Sequence, residues 1–195
     1  MALSDDPSNG YNAAAEAYIA ARSDAGVSFV RSWAETLPKG ASIIDVGAGH
    51  GEPLMPVLLG ASLKIHAIDA SEAMVAAFRA RFPDVPVACE AAEGSGFFNR
   101  TFDAALAIGL IFLLAEDKQA LVIKRVSSIL HRGGRFLFSA PWQTGTWDDL
   151  ITGRRSHGLG KAAYRRLIVE SGLKSVKTHT DDTGTFYYEA EKADG

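Results

Sequence analysis

Ile43-Ile44-Asp45-Val46-Gly47-Ala48-Gly49-His50-Gly51 is the stretch that decides the fold. A β-branched apolar run ends in an acid, then glycines alternate, and a helix-forming run follows at Glu52–Gly60. Glycine turns the backbone sharply and leaves no Cβ in the path of a ligand. In open α/β sheets ligands bind beyond the carboxyl ends of the strands, where the chain order reverses. The spacing therefore predicts a first strand over 42–46, a ligand-facing turn over 47–51 and a helix over 52–60, with Pro53 in its first turn.

Outward from this centre the alternation continues. Strands are expected at 63–68, 85–89, 102–108 and 135–140, and helices at 71–82 and 117–130. Ser71 is the N-cap of the first of these helices, and Gly133-Gly134 turns the chain into the strand at 135. Upstream, residues 1–10 read as disordered turn chemistry, and helices are expected over 11–22 and about 24–36, a small helical cap over 11–37. Downstream, a helix over 159–171 precedes two strands, 173–180 and 185–191. The polar turn Asp181-Asp182-Thr183-Gly184 joins them as an antiparallel hairpin. Strand–helix alternation with such an ending gives a doubly wound α/β fold: a mostly parallel sheet with one antiparallel strand, in one domain over 11–195.

Composition narrows the function. The chain has 195 residues, 47% of them hydrophobic and 22% charged, the profile of an ordinary globular protein. With a net charge of −3 and no basic block, nucleic acid is not an expected partner. The single cysteine, Cys89, has no partner for a disulfide or for a Cys-based zinc site, and no metal is expected. The start is acidic rather than signal-like. The longest apolar run, Ala104–Ala115, falls short of the ~20 residues that cross a bilayer. A soluble, cytoplasmic protein follows; either a monomer or a homodimer is expected.

Two further polar points lie at strand ends. Asp69 closes the second strand, placed to accept both hydroxyls of a ribose, with Ala70 beside it. Glu90 follows the third, where its side chain and the backbone of Ala91 or Ala92 would read a base edge. With Asp45-Val46-Gly47-Ala48-Gly49-His50-Gly51, Asp69, Phe102-Asp103 and Leu130-His131-Arg132-Gly133-Gly134 in hand, the chain resembles the class I S-adenosylmethionine-dependent methyltransferases over roughly residues 11–191. Two residues separate it from nicotinamide-dependent folds. Glu52 stands where the dinucleotide fingerprint has its last glycine, and Asp45 stands where those folds keep an apolar residue.

The resemblance implies a seven-stranded sheet in the order 3-2-1-4-5-7-6 with the seventh antiparallel, and S-adenosylmethionine as donor with S-adenosylhomocysteine as product. It implies in-line transfer to a small-molecule acceptor, in which positioning does the work and no covalent nucleophile is needed. Gly47, Ala48, Gly49 and Gly51 would meet the donor's amino-acid end, Asp45 its ammonium, and Tyr18 and Arg22 its carboxylate. Asp69 and Ala70 would take the ribose; Met74 and Ile108-Gly109 would sandwich the adenine beside Glu90, Ala91 and Ala92. His50 sits in the loop in a non-catalytic role, and His131 lies at the opposite end of the sheet as a turn residue.

Acceptor-side candidates are Trp142 and Trp147, in the segment overhanging the ligand end, with His157, Tyr187 and Phe112. Related sequences carry a histidine before the Tyr187-Tyr188 pair; here the residue is Phe186. Gly109-Leu110-Ile111-Phe112 replaces an Asn/Asp-Pro-Pro-aromatic segment, which argues against methylation of a base amino group. A non-catalytic module that binds donor or product and regulates a partner remains the alternative.

Overall fold

The computed structural model describes residues 6–193, without the side chains of Ser175 and Val176. Nine strands alternate with six helices: α1 (Ala15–Ala21), α2 (Val27–Ala34), β1 (Ser42–Val46), α3 (Leu54–Gly60), β2 (Lys64–Asp69), α4 (Glu72–Arg81), β3 (Val87–Cys89), β4 (Phe102–Ala107), α5 (Glu116–Ser128), β5 (Leu130–Ser139), β6 (Thr144–Asp148), β7 (Arg155–Leu159), α6 (Lys161–Glu170), β8 (Leu173–Thr180) and β9 (Phe186–Lys192). Seven strands form one sheet in the order β3-β2-β1-β4-β5-β9-β8. The first five are parallel, and β9 runs antiparallel to both β5 and β8. Numbering the strands of this sheet alone gives 3-2-1-4-5-7-6, the expected order.

The sheet is buried on both faces, so its inner strands read as continuous apolar runs. In β1, Ile44 and Val46 pack with Phe136, Phe138, Val122, Val126 and Tyr164 on the side of α5 and α6. Ile43, one residue out of phase, packs with Trp33, Met55, Leu58, Phe78 and Leu137 on the side of α2, α3 and α4. Asp45 shares that phase, which carries a carboxylate into a buried position at the ligand end of the strand. At the other end, Asp103 accepts hydrogen bonds from the backbone N–H and the hydroxyl of Ser42, both 2.8 Å, clasping the start of β1 to β4. These bonds hold the Asp103 carboxyl below its ordinary range. That clasp gives Phe102-Asp103 a structural role far from the ligand end. His131 is there too, its ring 3.2 Å from the Thr101 hydroxyl.

Several expectations are corrected. Residues 1–5 of the segment expected to be disordered lie outside the described residues, but residues 6–14 form a series of tight turns. Asp6 organises the first of them, accepting from Ser8 N, Ser8 Oγ and Gly10 N. Helix α1 accordingly starts at Ala15 rather than at residue 11. Pro53 is the N-cap of α3 and follows a cis peptide bond, so it stands just outside the first turn. Gly133-Gly134 is a bulge inside β5 rather than a turn before it: the pairing of β4 and β5 shifts register between Phe102 and Ala104. Between β5 and α6, where no strand is expected from the sequence, the chain forms further regular structure. It carries a two-stranded antiparallel hairpin, β6 and β7, with Trp147 opposite Ser156 and His157 opposite Thr146.

Candidate active site

The ends of β1, β2, β3 and β4 border a cleft of about 690 Å³, open on one side to solvent. Gly47, Gly49 and Tyr18 line one end of it, Asp69 and Ala70 its middle, and Met74, Glu90, Ala91, Ala92, Ile108 and Gly109 the rest. Eleven residues singled out in the sequence thus come together, drawn from five separate segments.

The glycine turn is held by the next strand. Gly47 and Ala48 both donate their N–H to Ile68 O, at 2.9 and 3.0 Å. Asp69 then reaches back: its Oδ2 accepts from Gly49 N at 2.8 Å and its Oδ1 from Ser71 N at 2.9 Å. One carboxylate thereby fixes the turn after β1 and the start of α4. Burial raises the Asp69 carboxyl above its ordinary range, and the two N–H donors oppose that shift. Each carboxylate oxygen keeps a second lone-pair direction for a ligand. Ser71 caps α4 as expected, accepting from Met74 N at 3.2 Å. Gly47 has φ +77°, and a Cβ there would stand 3.1 Å from the Leu110 side chain, so only glycine lets the β4 loop close against the turn.

Asp45 lies beneath the turn, 3% exposed, without lining the cleft. Burial first, and the neighbouring Asp69 second, push its carboxyl up to about 7, against the pull of Arg22. Arg22 borders a separate hollow with His50, Glu52 and Arg81. His50 is 3% exposed and its Nδ1 has no hydrogen-bond partner among the described residues. Burial, with Arg81 and Arg22 nearby, lowers its basicity. Gly51 is not a cleft residue. At φ +89°, a Cβ there would stand 2.6 Å from the Phe82 ring and 3.1 Å from that of Phe78, so this glycine serves packing of the loop on α4. Ala48 likewise packs against the core under α2 and α3. Glu90 faces the cleft, but its Oε2 is engaged by Ser95 Oγ at 2.6 Å and Gly96 N at 3.2 Å, which closes the loop after β3.

None of the five acceptor-side candidates lines this cleft. Trp142 stacks on Phe186 at 4.5 Å, and Lys161 Nζ stands 3.7 Å from its ring centroid. Trp147 packs on Phe112 at 5.7 Å. Tyr187 is fully buried, donating to Asp181 Oδ2 at 2.7 Å. His157 is held through its backbone carbonyl, which accepts from the buried Gln119 Nε2 at 2.9 Å.

Sequence reasoning missed part of the lining: Pro7, Ser8, Asn9, Tyr11, Glu93, Leu110, Leu113 and Leu114. The first four form a strap across the cleft. Asp6 pairs with Arg154 at 3.0 Å, Asn9 Nδ2 donates to Leu113 O at 3.0 Å, and Tyr11 donates to Asp149 Oδ2 at 3.1 Å. Asn12 Oδ1 accepts from Ser71 Oγ and Ala73 N, at 3.2 and 3.0 Å. The Asn9-Gly10 turn signal was legible, but its anchors lie more than a hundred residues away. Glu93, three residues past Glu90, pairs with Lys118 at 3.1 Å. Asp69, Glu90 and Glu93 make the cleft acidic, with no Lys, Arg or His among its described lining residues. A sheet of this order over a glycine turn is the fold that the resemblance implies.

Comparison with known proteins supports that fold. Residues 43–134 match the model of a family described as a methyltransferase domain. No curated protein sequence matches the chain. Among solved structures, magnesium protoporphyrin IX methyltransferase from Synechocystis PCC 6803 with bound S-adenosylmethionine is 16% identical, with a TM-score of 0.77, covering 99% of this chain and 100% of that one. The CcbJ methyltransferase from Streptomyces caelestis is 17% identical, with a TM-score of 0.78 over 97% of this chain and 100% of that one. The 1,6-didemethyltoxoflavin-N1-methyltransferase of Burkholderia thailandensis, with its acceptor and S-adenosylhomocysteine bound, is 18% identical, with a TM-score of 0.75 over 100% and 93%. Residues 43–134 match a methyltransferase domain, and the chain as a whole shares its fold with solved methyltransferase structures. Among the described residues no helix is long and apolar enough to cross a membrane, and no His/Cys/Asp/Glu group could hold a metal ion.

Proposed function

We propose that the chain methylates a small-molecule acceptor by in-line transfer within this cleft. The observation that carries the reading is Asp69. It stands at the end of β2 inside an acidic cleft and is fixed by Gly49 N and Ser71 N, with lone pairs left over for a ribose. The donor supplies a methyl group already activated on a sulfonium whose leaving group is neutral. The protein's part is to hold, orient and exclude water, worth up to ~7–11 kcal/mol in well-oriented model reactions.

The residues present fit such a donor. An acidic cleft favours a cationic nucleoside. Asp69 and Ala70 would hold the ribose, and Met74, Ile108-Gly109, Leu113 and Leu114 would flank the adenine. Ala91 and Ala92 offer it backbone groups, and Glu93, rather than Glu90 alone, adds a carboxylate at that end. Gly47, Gly49 and Tyr18 would take the amino-acid end, with Asp45 beneath its ammonium and Arg22 reaching its carboxylate from the neighbouring hollow. The structurally similar 1,6-didemethyltoxoflavin-N1-methyltransferase holds a compact acceptor of this kind. We infer a cytoplasmic protein, monomer or homodimer, that uses no nucleic acid.

Incubation with methyl-labelled donor and a panel of metabolites, with RNA and bulk protein as controls, tests this. Label in a compact acceptor is the expected result. Label only in RNA or protein refutes the acceptor class, and no donor binding by calorimetry refutes the donor site.

A further inference from the structure

Resting on that reading, we propose that Tyr11 contacts the acceptor and passes its proton to Asp149. The acceptor is thereby assigned to compounds whose nucleophile is a proton-bearing heteroatom.

The geometry places Tyr11 between the glycine turn's cover and the β6–β7 hairpin. The Tyr18 ring lies 3.8 Å from the position of a Cβ on Gly49, so it covers the glycine turn. Tyr11 packs edge-on against Tyr18 at 5.4 Å between centroids, one ring further out, and itself lines the cleft. Its hydroxyl then meets the tip of the β6–β7 hairpin, donating to Asp149 Oδ2 at 3.1 Å. That carboxylate is aimed. Its Oδ1 accepts from Ile151 N, Thr152 N and Thr152 Oγ1, at 3.1, 2.8 and 3.0 Å. Its Oδ2 is left to Tyr11 alone.

Burial and the Asp149 charge keep the Tyr11 phenol protonated far above neutral pH. Tyr11 therefore does not act as a base by itself. Its oxygen has a lone pair for an acceptor X–H while its own proton points at a carboxylate. During transfer the acceptor's lone pair forms the X–CH3 bond, and the C–S pair stays on sulfur as a neutral thioether. The X–H proton passes to Tyr11 Oη while Tyr11's proton passes to Asp149 Oδ2. For an amine the proton moves once the N–C bond has formed; for a hydroxyl it moves as that bond forms. The charged and titratable groups around the pair are Tyr18, which senses Arg22, Asp69 and Asp45, and the Asp6–Arg154 ion pair beside the hairpin tip.

The test uses Tyr11→Phe, Asp149→Asn and Asp149→Glu in the full chain. Donor and product affinity come from calorimetry, and turnover of labelled donor is measured with hydroxyl and amine acceptors across pH. Binding of the best acceptor to the product complex is titrated as well. General acid–base groups contribute about 10²–10⁴-fold. Tyr11→Phe should lower kcat about 100-fold or more at saturating donor and weaken acceptor binding to the product complex about tenfold, with donor affinity moving far less. Asp149→Asn should abolish the acid limb of the pH profile, and Asp149→Glu should restore it. A Tyr11→Phe enzyme within about threefold of wild-type kcat overturns the proposal, as does an unchanged acid limb in Asp149→Asn. Transfer to no hydroxyl or amine compound overturns it too. Loss of donor binding in the wild-type chain would instead overturn the donor site itself, so the two failures are distinguishable.

Discussion

Replacing Asp69 should cost the donor most of its affinity without unfolding the chain. The carboxylate holds Gly49 N at 2.8 Å and Ser71 N at 2.9 Å, so it shapes the turn as well as lining the cleft. Hydrogen bonds to a charged group are worth about 1.5–3 kcal/mol each, and some of that is recovered when water takes over the freed N–H groups. Two ribose bonds lost in Asp69→Ala, with a loosened turn, give about 2–4 kcal/mol, or roughly 30- to 850-fold in Kd. Asp69→Asn keeps one acceptor oxygen but sets an NH2 against one of the two backbone N–H donors, so its loss should fall near the lower bound. Calorimetry with S-adenosylmethionine and S-adenosylhomocysteine should show equal losses for both, because the ribose is common to them. Wild-type affinity in folded variants would refute the ribose assignment. So would a loss confined to the sulfonium ligand, which would make Asp69 a charge partner instead.

Asp45 should make the free protein pH-sensitive. Its folded carboxyl is raised to about 7 from an ordinary value near 3.8, so its contribution to stability is full below pH 4 and is lost as pH rises towards 7. The Tm of the ligand-free chain should fall across that window, and Asp45→Asn should flatten the trend in a melting series while weakening donor binding several-fold. Gly51→Ala should lower Tm by roughly 2–12 °C, from about 1–3 kcal/mol of backbone strain and its clash with Phe82. A tenfold loss of donor affinity at unchanged Tm would instead return Gly51 to the donor's contacts. Arg154→Ala frees Asp6 at one end of the strap. Partly exposed pairs of this kind are worth about 0.2–1 kcal/mol, so donor dissociation in stopped flow should quicken about 1.5- to fivefold, and an unchanged rate would deny the strap its hold.

The sheet was legible because its determinants are local. Ile43, Ile44 and Val46 are apolar on both phases because helices cover both faces of β1, and that double burial is written directly into five residues. The Asp181–Gly184 turn is equally local, and it gave the antiparallel strand at its true place. The β6–β7 hairpin was missed because β6 is exposed along its whole length, so no alternation of apolar and polar residues marks it. Gly133-Gly134 misled for a related reason. A bulge within a strand and a turn before one use the same residue, and only the pairing partner, β4, tells them apart.

The site divides along the same line. Backbone-defined positions such as Gly47, Gly49, Asp69 and Ala70 follow from strand ends, and the structure brings them together at the cleft. Positions chosen for chemical character alone lie away from it. Trp142, Trp147 and Tyr187 have aromatic side chains, yet each packs on or bonds to a neighbour outside the cleft: Phe186 and Lys161, Phe112, and Asp181. Tyr11 carries no such signal in sequence, being one aromatic in an Ala-rich run. What distinguishes it is a contact spanning 138 residues to an aspartate on a hairpin the sequence did not announce. The part of the cleft built from strand ends is therefore readable. The Tyr11–Asp149 contact lies where an N-terminal strap meets an inserted hairpin, and such meetings are decided by long-range pairing that no local window contains.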